Sequence, residues 1–520
     1  MSESYFPLRV AAIDVGTNAI RFVASEFMDP THWVDLEYLR VPVRLGKGTF
    51  LTGRLEEEAM AATVEAMGAF RRYIDTYGIP RYRAVATSAV RESRNGGDLV
   101  DRIRAETGIQ LETITGSEEA RLIWAAVRSR VPMGEGRWML TDLGGGSLEI
   151  SVASVEGTHW IESHTMGTVR LLEDLGGEAR NQHDFRELAR EYAGTLRIPD
   201  RITDDDSLAG LMATGGNIET LAELGRCTPD DTGVSRLPLK TLQDWIDRLA
   251  DMSVEARVEE LGLRQDRADV ILPAAILYER VALLAGVQEI VVPHVGVKEG
   301  VLVDLVEDIT GPGVHATRLE REALHGALAL GRRFRFDEAH ARHVARLSLS
   351  LFDQLRELHG LGDPERRILL GAAVLHDVGQ FLSYRKHHKH SLYLIYNSEL
   401  PNYARAEIPL VALVARYHRR AEPKNDHYLF EELAREDRTR VRRLASILRV
   451  ADALDREHLQ RVTEVGVVVK PAEIVLEVEG RGDLLLEQWA LEKKARMFRS
   501  VFGVPVRLTV PEPTLGPSVI

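Results

Sequence analysis

The chain has one cysteine, Cys227, among 520 residues. No intramolecular disulfide is possible, which excludes the disulfide-built secreted scaffolds. No apolar run approaches the roughly 20 residues that span a bilayer, so no membrane helix is expected. The opening, MSESYFPLRVAAID, enters an apolar strand pattern at once. It lacks the charged and apolar regions of a signal peptide, and these absences together point to the cytoplasm. Positive charge is also in deficit. A net charge of −13 argues against a general nucleic-acid binder. It leaves room for a polyanionic substrate if basic residues gather along one groove. What is present is a soluble globular composition, 44% hydrophobic and 28% charged, long enough for about three or four domains.

One stretch organises the rest: MLTDLGGGSLEI, residues 139–150. An apolar run ends in Asp142, passes Gly144, Gly145 and Gly146, and turns apolar again, which reads as strand, tight turn, strand. Consecutive glycines weaken regular structure and need a local reason. Close approach of bare backbone N–H groups to a phosphate is one such reason. Asp142 and Glu149 bracket the turn, with Ser147 between them, a donor set that suits a hydrated Mg²⁺ bridging to phosphate. A plain hairpin with a structural Asp is the alternative. A second stretch, VAAIDVGTNAIRFVA (10–24), repeats the pattern with Asp14 before a turn of Gly16, Thr17 and Asn18. Two such units suggest two similar lobes facing a cleft. A third turn, LMATGGNIETLAEL (211–224), places Gly215 and Gly216 at the start of a helix, where anions are favoured.

Between these stretches, amphipathic helices at 55–78, 96–108 and 118–131 alternate with apolar strands, which gives the α/β class. VPMGEG (131–136) reads as a hinge between lobes, EIVVPHVGVKEGVLVDLVEDI (289–309) as a strand, and GPGVHA (311–316) as a breaker that ends the second lobe.

The ordered set AAIDVGTNAIRFVA, ATSAVRES, ITGSEEARLIWAAV, LTDLGGGSLEI, ATGGNIETLA and VGVKEGVLVDL resembles the exopolyphosphatase and guanosine pentaphosphate phosphohydrolase (Ppx/GppA) family. That family belongs to the actin-like, acetate and sugar kinase superfamily. The resemblance covers about residues 8–310, and HDVG, HHKHS and RYHRR extend it to the C-terminal region of the long members. It implies hydrolysis of a terminal phosphoanhydride with release of orthophosphate, for which positioning, charge neutralisation and an oriented water are needed. The family's water-activating Glu matches Glu119. For the pair Glu118–Glu119 the alternative is ordinary acidic charge in a first helical turn, and Glu118 keeps that reading. Asp14, Asp142 and Glu149 become the carboxylates toward Mg²⁺ or Mn²⁺. Thr17, Asn18, Gly144, Gly145, Gly146, Ser147, Gly215 and Gly216 become phosphate-binding. Arg91 matches a phosphate contact, where a planar fork holds two oxygens; the alternative is an ion pair with Glu92 or Asp98.

From about residue 316 the pattern is almost wholly helical and histidine-rich. His343, His376–Asp377 and Asp452 fall in the H…HD…D order of an HD phosphohydrolase domain. His390 and His418 match the additional histidines of its two-metal versions, and together these donors suit a second metal. The last ~55 residues read as strand, turn, strand, turn, helix, strand, with Lys493, Lys494, Arg496 and Arg499 on the helix. With the basic runs at 384–390 and 416–420 they suggest a charged path for a long polyanion. Helix faces such as LSLSLFDQL suggest burial against a second subunit, hence a homodimer.

The expected architecture is α/β: two actin-like lobes (1–131 and 132–312), an all-α HD-like domain (313–462) and a small α/β cap (463–520). The expected function is an Mg²⁺-dependent exopolyphosphatase, with guanosine pentaphosphate as the alternative substrate. A phosphotransferase and a nucleotide-sensing regulatory protein are the readings from other classes.

Overall fold

The computed structural model describes residues 5–176, 182–199, 202, 208–400 and 403–509. The end of the expected cap, 510–520, lies outside these residues. The chain forms two compact units, Met1–Arg318 and Leu319–Ile520.

The first unit holds two sheets. Strands β1 (Leu8–Val15), β2 (Ile20–Phe27), β3 (Trp33–Val41), β4 (Arg81–Ala86) and β5 (Leu111–Thr113) form one, in the order β3-β2-β1-β4-β5. β1 runs antiparallel to β2 and parallel to β4. It is apolar almost throughout because both of its faces are covered. Ala11, Ile13 and Val15 enter a core with helices Glu57–Thr76 and Gly96–Thr107. Val10 and Ala12, on the other face, enter a core with helix Gly116–Arg130.

β6 (Trp138–Leu143), β7 (Leu148–Ser154), β8 (Gly157–His164), β9 (Gly210–Thr214), β10 (Ser235–Pro238) and β11 (Glu289–Val292) form the second sheet, in the order β10-β11-β9-β6-β7-β8. Read from β8 to β11, its winding repeats that of the first sheet, with β6 and β7 in the places of β1 and β2. This is the duplicated lobe that the two Asp hairpins suggest, in the α/β arrangement that the family resemblance implies.

Residues 289–309 are not one strand. β11 stops at Val292, and helix Val297–Thr310 follows. The Glu299 carboxylate accepts from the Gly296 N–H at 2.8 Å and caps the start. The run reads as a strand because the helix is apolar on more than one side, and a buried run has no clear period. Val297, Val301, Leu302 and Val306 share a core with residues of both sheets, including Val10, Ala12, Leu140 and Met212. The helix therefore ties the lobes together.

GPGVHA likewise does not separate segments by a loop. Gly311 closes one helix and Pro312 opens the next, Pro312–Arg333, a position where a residue without N–H loses nothing.

In the second unit, helices Glu338–Gln354, Asp363–Leu375, His387–Tyr396, Ile408–Arg416 and Arg435–Ala453 precede β12 (Val462–Val469), β13 (Ile474–Gly480) and β14 (Val506–Thr509). β14 joins β13 in parallel. The sheet shares one core with the helices, through Val462, Ile474, Leu476 and Val478 beside Leu444 and Leu448. Leu347, Leu351, Phe352 and Leu355, the face offered above to a second subunit, lie buried in this same core. The face is satisfied within its own chain.

Candidate active site

The two hairpins place their acidic residues by register. Asp14 on β1 stands opposite Arg21 on β2. Asp142 on β6 stands opposite Glu149 on β7. Arg21 Nη1 donates to Asp14 Oδ2 at 3.0 Å. Asp142 Oδ1 accepts from Thr214 Oγ at 2.6 Å, and Glu149 Oε1 accepts from Ser163 Oγ at 2.8 Å. Glu149 Oε2 is buried with no hydrogen-bond partner.

Glu119 joins them from helix Gly116–Arg130, where Thr115 caps the first turn by accepting from the Glu118 N–H at 3.1 Å. Gly116 is required by proximity: a Cβ there would collide with Ser163 and touch Glu149 Oε1. The bare residue lets the helix start press against β8. Glu119, Asp142 and Glu149 then offer ligand atoms within 4.8 Å of one another. Burial pushes Asp142 up to about 6 and Glu149 up to about 7. Burial, and next the Glu149 charge, hold Glu119 well above the usual carboxylate range. Burial also raises Asp14, despite Arg21. Three buried carboxylates with one orphaned oxygen call for a divalent cation, and their hard oxygen donors fit Mg²⁺ or Mn²⁺.

Glu118, one residue away, has the opposite setting. Arg121 Nε donates to it at 2.7 Å and Arg83 Nη2 at 3.0 Å. Burial opposes ionisation there, but the Arg121 and Arg83 charges outweigh it and lower the pKa. The adjacent carboxylates are thus sorted by their neighbours: two arginines outweigh burial at Glu118, whereas at Glu119 the contact from Arg91 does not.

A cavity of about 640 Å³ opens over this floor. Asp14, Thr17, Asn18, Glu119, Asp142, Gly144, Gly145, Gly215 and Gly216 line it; Arg91, Gly146, Ser147 and Glu149 do not. Thr17 Oγ shares a hydrogen bond with Ser88 Oγ at 2.8 Å, and Asn18 Nδ2 donates to the Asp266 carbonyl at 2.8 Å. Thr17 Oγ1 and Asn18 Nδ2 are thus engaged within the protein, whereas Asn18 Oδ1 is buried with no hydrogen-bond partner. A Cβ on Gly146 would strike Phe50 and Ser88, so close packing requires glycine there. Gly215 has φ +99°, a conformation open to glycine, and precedes helix Gly216–Leu224. Arg91 belongs to the short helix Ser88–Glu92. It donates to the Ile114 carbonyl at 2.9 Å and to Glu119 Oε2 at 3.3 Å. Glu92, named above as an alternative partner, pairs with Arg170 and acts on Arg91 through its charge.

Arg21, Arg40, Arg264, Arg267 and Lys298 also line the cavity, and sequence reading missed them. Arg21 was recoverable as the residue facing Asp14 across its hairpin, and Lys298 lies inside the VGVKEG motif. Arg267 gives no local signal; burial pushes it down to about 10, and its guanidinium rests against Gly216.

In the second unit, His376, Asp377, His418 and Asp452 converge. His343 and His390 are not among them. Their places are taken by His340 and His387, each one helical turn earlier.

The description Ppx/GppA phosphatase family matches residues 28–309, and Ppx/GppA phosphatase, domain III, matches residues 324–494. The chain belongs to the Ppx/GppA phosphatase family. It is a hydrolase, and among the described residues no helix is long and apolar enough to cross a membrane. A guanosine-5'-triphosphate,3'-diphosphate pyrophosphatase of Vibrio vulnificus is 25% identical over 412 residues, 79% of this chain and 80% of the relative. The namesake from Vibrio cholerae O395 is 24% identical over 457 residues, 86% and 88% of the two chains. Among solved structures, an exopolyphosphatase from Cytophaga hutchinsonii is 28% identical with a TM-score of 0.54, covering 57% of this chain and 98% of that one.

Proposed function

We propose that the first unit hydrolyses the terminal phosphoanhydride of inorganic polyphosphate and that Glu119 orients and deprotonates the attacking water. The observation that carries this is the pairing of a buried Glu119, held well above the usual carboxylate range despite Arg91, with a cavity whose floor is acidic and whose walls carry Arg21, Arg40, Arg264, Arg267 and Lys298. Asp142 and Glu149 would hold Mg²⁺, with Asp14 reaching it through water. Bound there, the ion neutralises charge on the transferring phosphoryl group. Arg91 keeps Glu119 aimed, because its guanidinium is fixed by the Ile114 carbonyl. The Gly145 N–H would meet a phosphate oxygen, while the Gly144 N–H donates to the Ser147 carbonyl at 3.0 Å and holds the turn, and the basic walls would bind the remainder of the polyanion.

Guanosine pentaphosphate is the second reading. Leu224, Leu261 and Leu263 give the cavity an apolar portion against which a base can pack. The near-full-length relatives also carry the pyrophosphatase name. Phosphate release by the purified chain from each substrate, compared as kcat/KM, decides between them. A preference for the nucleotide overturns the first reading, and stoichiometric conversion of ADP to ATP in place of phosphate release would instead reveal a phosphotransferase.

A further inference from the structure

The histidine cluster of the second unit has a donor geometry of its own. His376 and His418 present Nδ1 to backbone carbonyls of Ala373 and Ala415, both at 2.7 Å. His387 Nδ1 faces the Tyr384 carbonyl at 3.1 Å, and His340 Nδ1 faces Asp455 Oδ2 at 2.8 Å. These oxygens accept only, so each Nδ1 carries the proton, and in a neutral ring Nε2 keeps its lone pair. Such outer contacts are the ones that orient metal-binding imidazoles.

The four Nε2 atoms converge in two pairs. His340 and His376 are 3.2 Å apart, and His387 and His418 are 3.4 Å apart. Lone pairs facing each other at that distance repel unless a cation lies between them. Asp452 Oδ1 is 3.9 Å from both members of the first pair. Asp377 Oδ1 is 3.0 Å from His387, 3.4 Å from His418 and 3.9 Å from His376. This oxygen is buried without a hydrogen-bond donor, while Gln380 holds Oδ2 at 2.5 Å. One carboxylate thus stands between two pairs of imidazoles, as a bridging ligand does.

A cavity of about 220 Å³ opens onto Asp377, His418 and Asp452, and Arg419, Arg420, Arg456, Lys493 and Lys494 also line it. Lys494 Nζ pairs with Asp452 Oδ2, which leaves Oδ1 toward the histidines. Arg419 Nη1 donates to His387 Nε2 at 3.2 Å, a contact that requires the lone pair there. Nitrogen and carboxylate donors suit Mn, Fe, Ni or Zn, and the basic rim suits a phosphate.

We propose that the second unit carries a dinuclear transition-metal centre, bridged by Asp377, that hydrolyses a phosphate ester held by the basic rim. His340, His376 and Asp452 complete one position, and His387 and His418 the other. Water adds its oxygen to phosphorus as the bond to the leaving oxygen breaks. One water proton ends on the leaving alcohol and the other passes to solvent. Paired metal ions suit such in-line displacement. The centre does not depend on the reading at Glu119, because the two sites share no residue.

The test uses the full chain, expressed with added Mn²⁺ and Fe²⁺ and desalted, in a Glu119→Gln background that silences the first unit. Metal content is measured by mass spectrometry, and hydrolysis with p-nitrophenyl phosphate and bis(p-nitrophenyl) phosphate. Asp377→Asn should lose both ions and His418→Gln one, with hydrolysis falling about tenfold to a hundredfold or more. His343→Gln and His390→Gln, one turn off the cluster, should keep both ions. Circular dichroism and thermal melting confirm that each variant is folded. Equal metal content in Asp377→Asn and His343→Gln overturns the centre and leaves Lys494 as the cation that balances Asp452. Bound metal without hydrolysis of either probe overturns the phosphohydrolase assignment.

Discussion

The two hairpins of the first unit are built alike and charged differently. Each has a buried Asp near the end of its first strand and a facing residue seven positions later. In the first lobe that residue is Arg21, which neutralises Asp14. In the second it is Glu149, which adds a second buried carboxylate beside Asp142. One backbone device thus yields an ion pair in one lobe and, in the other, two facing carboxylates that Arg91 only partly offsets. Only the second demands an external cation. The comparison also explains why Glu119, packed against the second pair, is raised so far, while the ion-paired Glu118 is lowered.

The largest effect should come from the residue packed against the two facing carboxylates. Glu119→Gln should reduce kcat about 10²–10⁴-fold, the usual contribution of a positioned base, with substrate affinity retained. Glu118→Gln should leave kcat within a few-fold and instead lower stability by on the order of 1–3 kcal/mol, since it weakens buried charge-assisted hydrogen bonds. Steady-state kinetics and denaturant melts on the pair check this, and near-normal turnover by Glu119→Gln removes it as the base.

Next, the facing residues should separate by function. Glu149→Gln and Asp142→Asn should raise the Mg²⁺ concentration for half-maximal rate about tenfold or more. Arg21→Gln should instead raise the substrate KM several-fold, roughly the worth of one charge-assisted contact, with Mg²⁺ dependence little changed. If all three variants shift the Mg²⁺ dependence equally, the difference between the hairpins has no functional meaning.

The smallest effect concerns pH. Asp142 and Glu149 have folded-state values near 6 and 7, above their ordinary 3.8 and 4.5. A raised carboxyl contributes stability that is fully present below its unfolded value and lost as pH rises through the folded one. Metal-free protein should therefore lose Tm by a few degrees between about pH 4 and pH 7. Added Mg²⁺ should restore more of it at the upper end, where binding displaces fewer protons. Calorimetry of the Asp142→Asn, Glu149→Gln double variant should give a flatter profile; an unchanged slope would mean that other groups set it.

The sequence was most legible where chemistry and turn geometry are local. The Asp-to-Gly turns, the helix start at Glu118–Glu119 and the α/β alternation follow from period and breaker residues within short windows. Legibility failed where an apolar run is buried on several sides, as at 289–309, because burial erases the period that tells helix from strand.

The sequence by itself determined that no disulfide braces this chain, that two Asp hairpins recur in order, and that the second unit is rich in paired histidines. Within each pair the sequence reading points to His343 and His390, and the structure brings His340 and His387 to the cluster instead; residues three apart share a helix face, so local pattern does not separate them. The tertiary structure decided for His340 over His343, since the anchoring Asp455 is 115 residues away and the facing His376 is 36 away. It also brought Arg267 against the Gly216 turn and turned the Leu347–Leu355 face inward. Partners so distant along the chain leave no local pattern, so packing and hydrogen bonding between elements alone select which side chains meet.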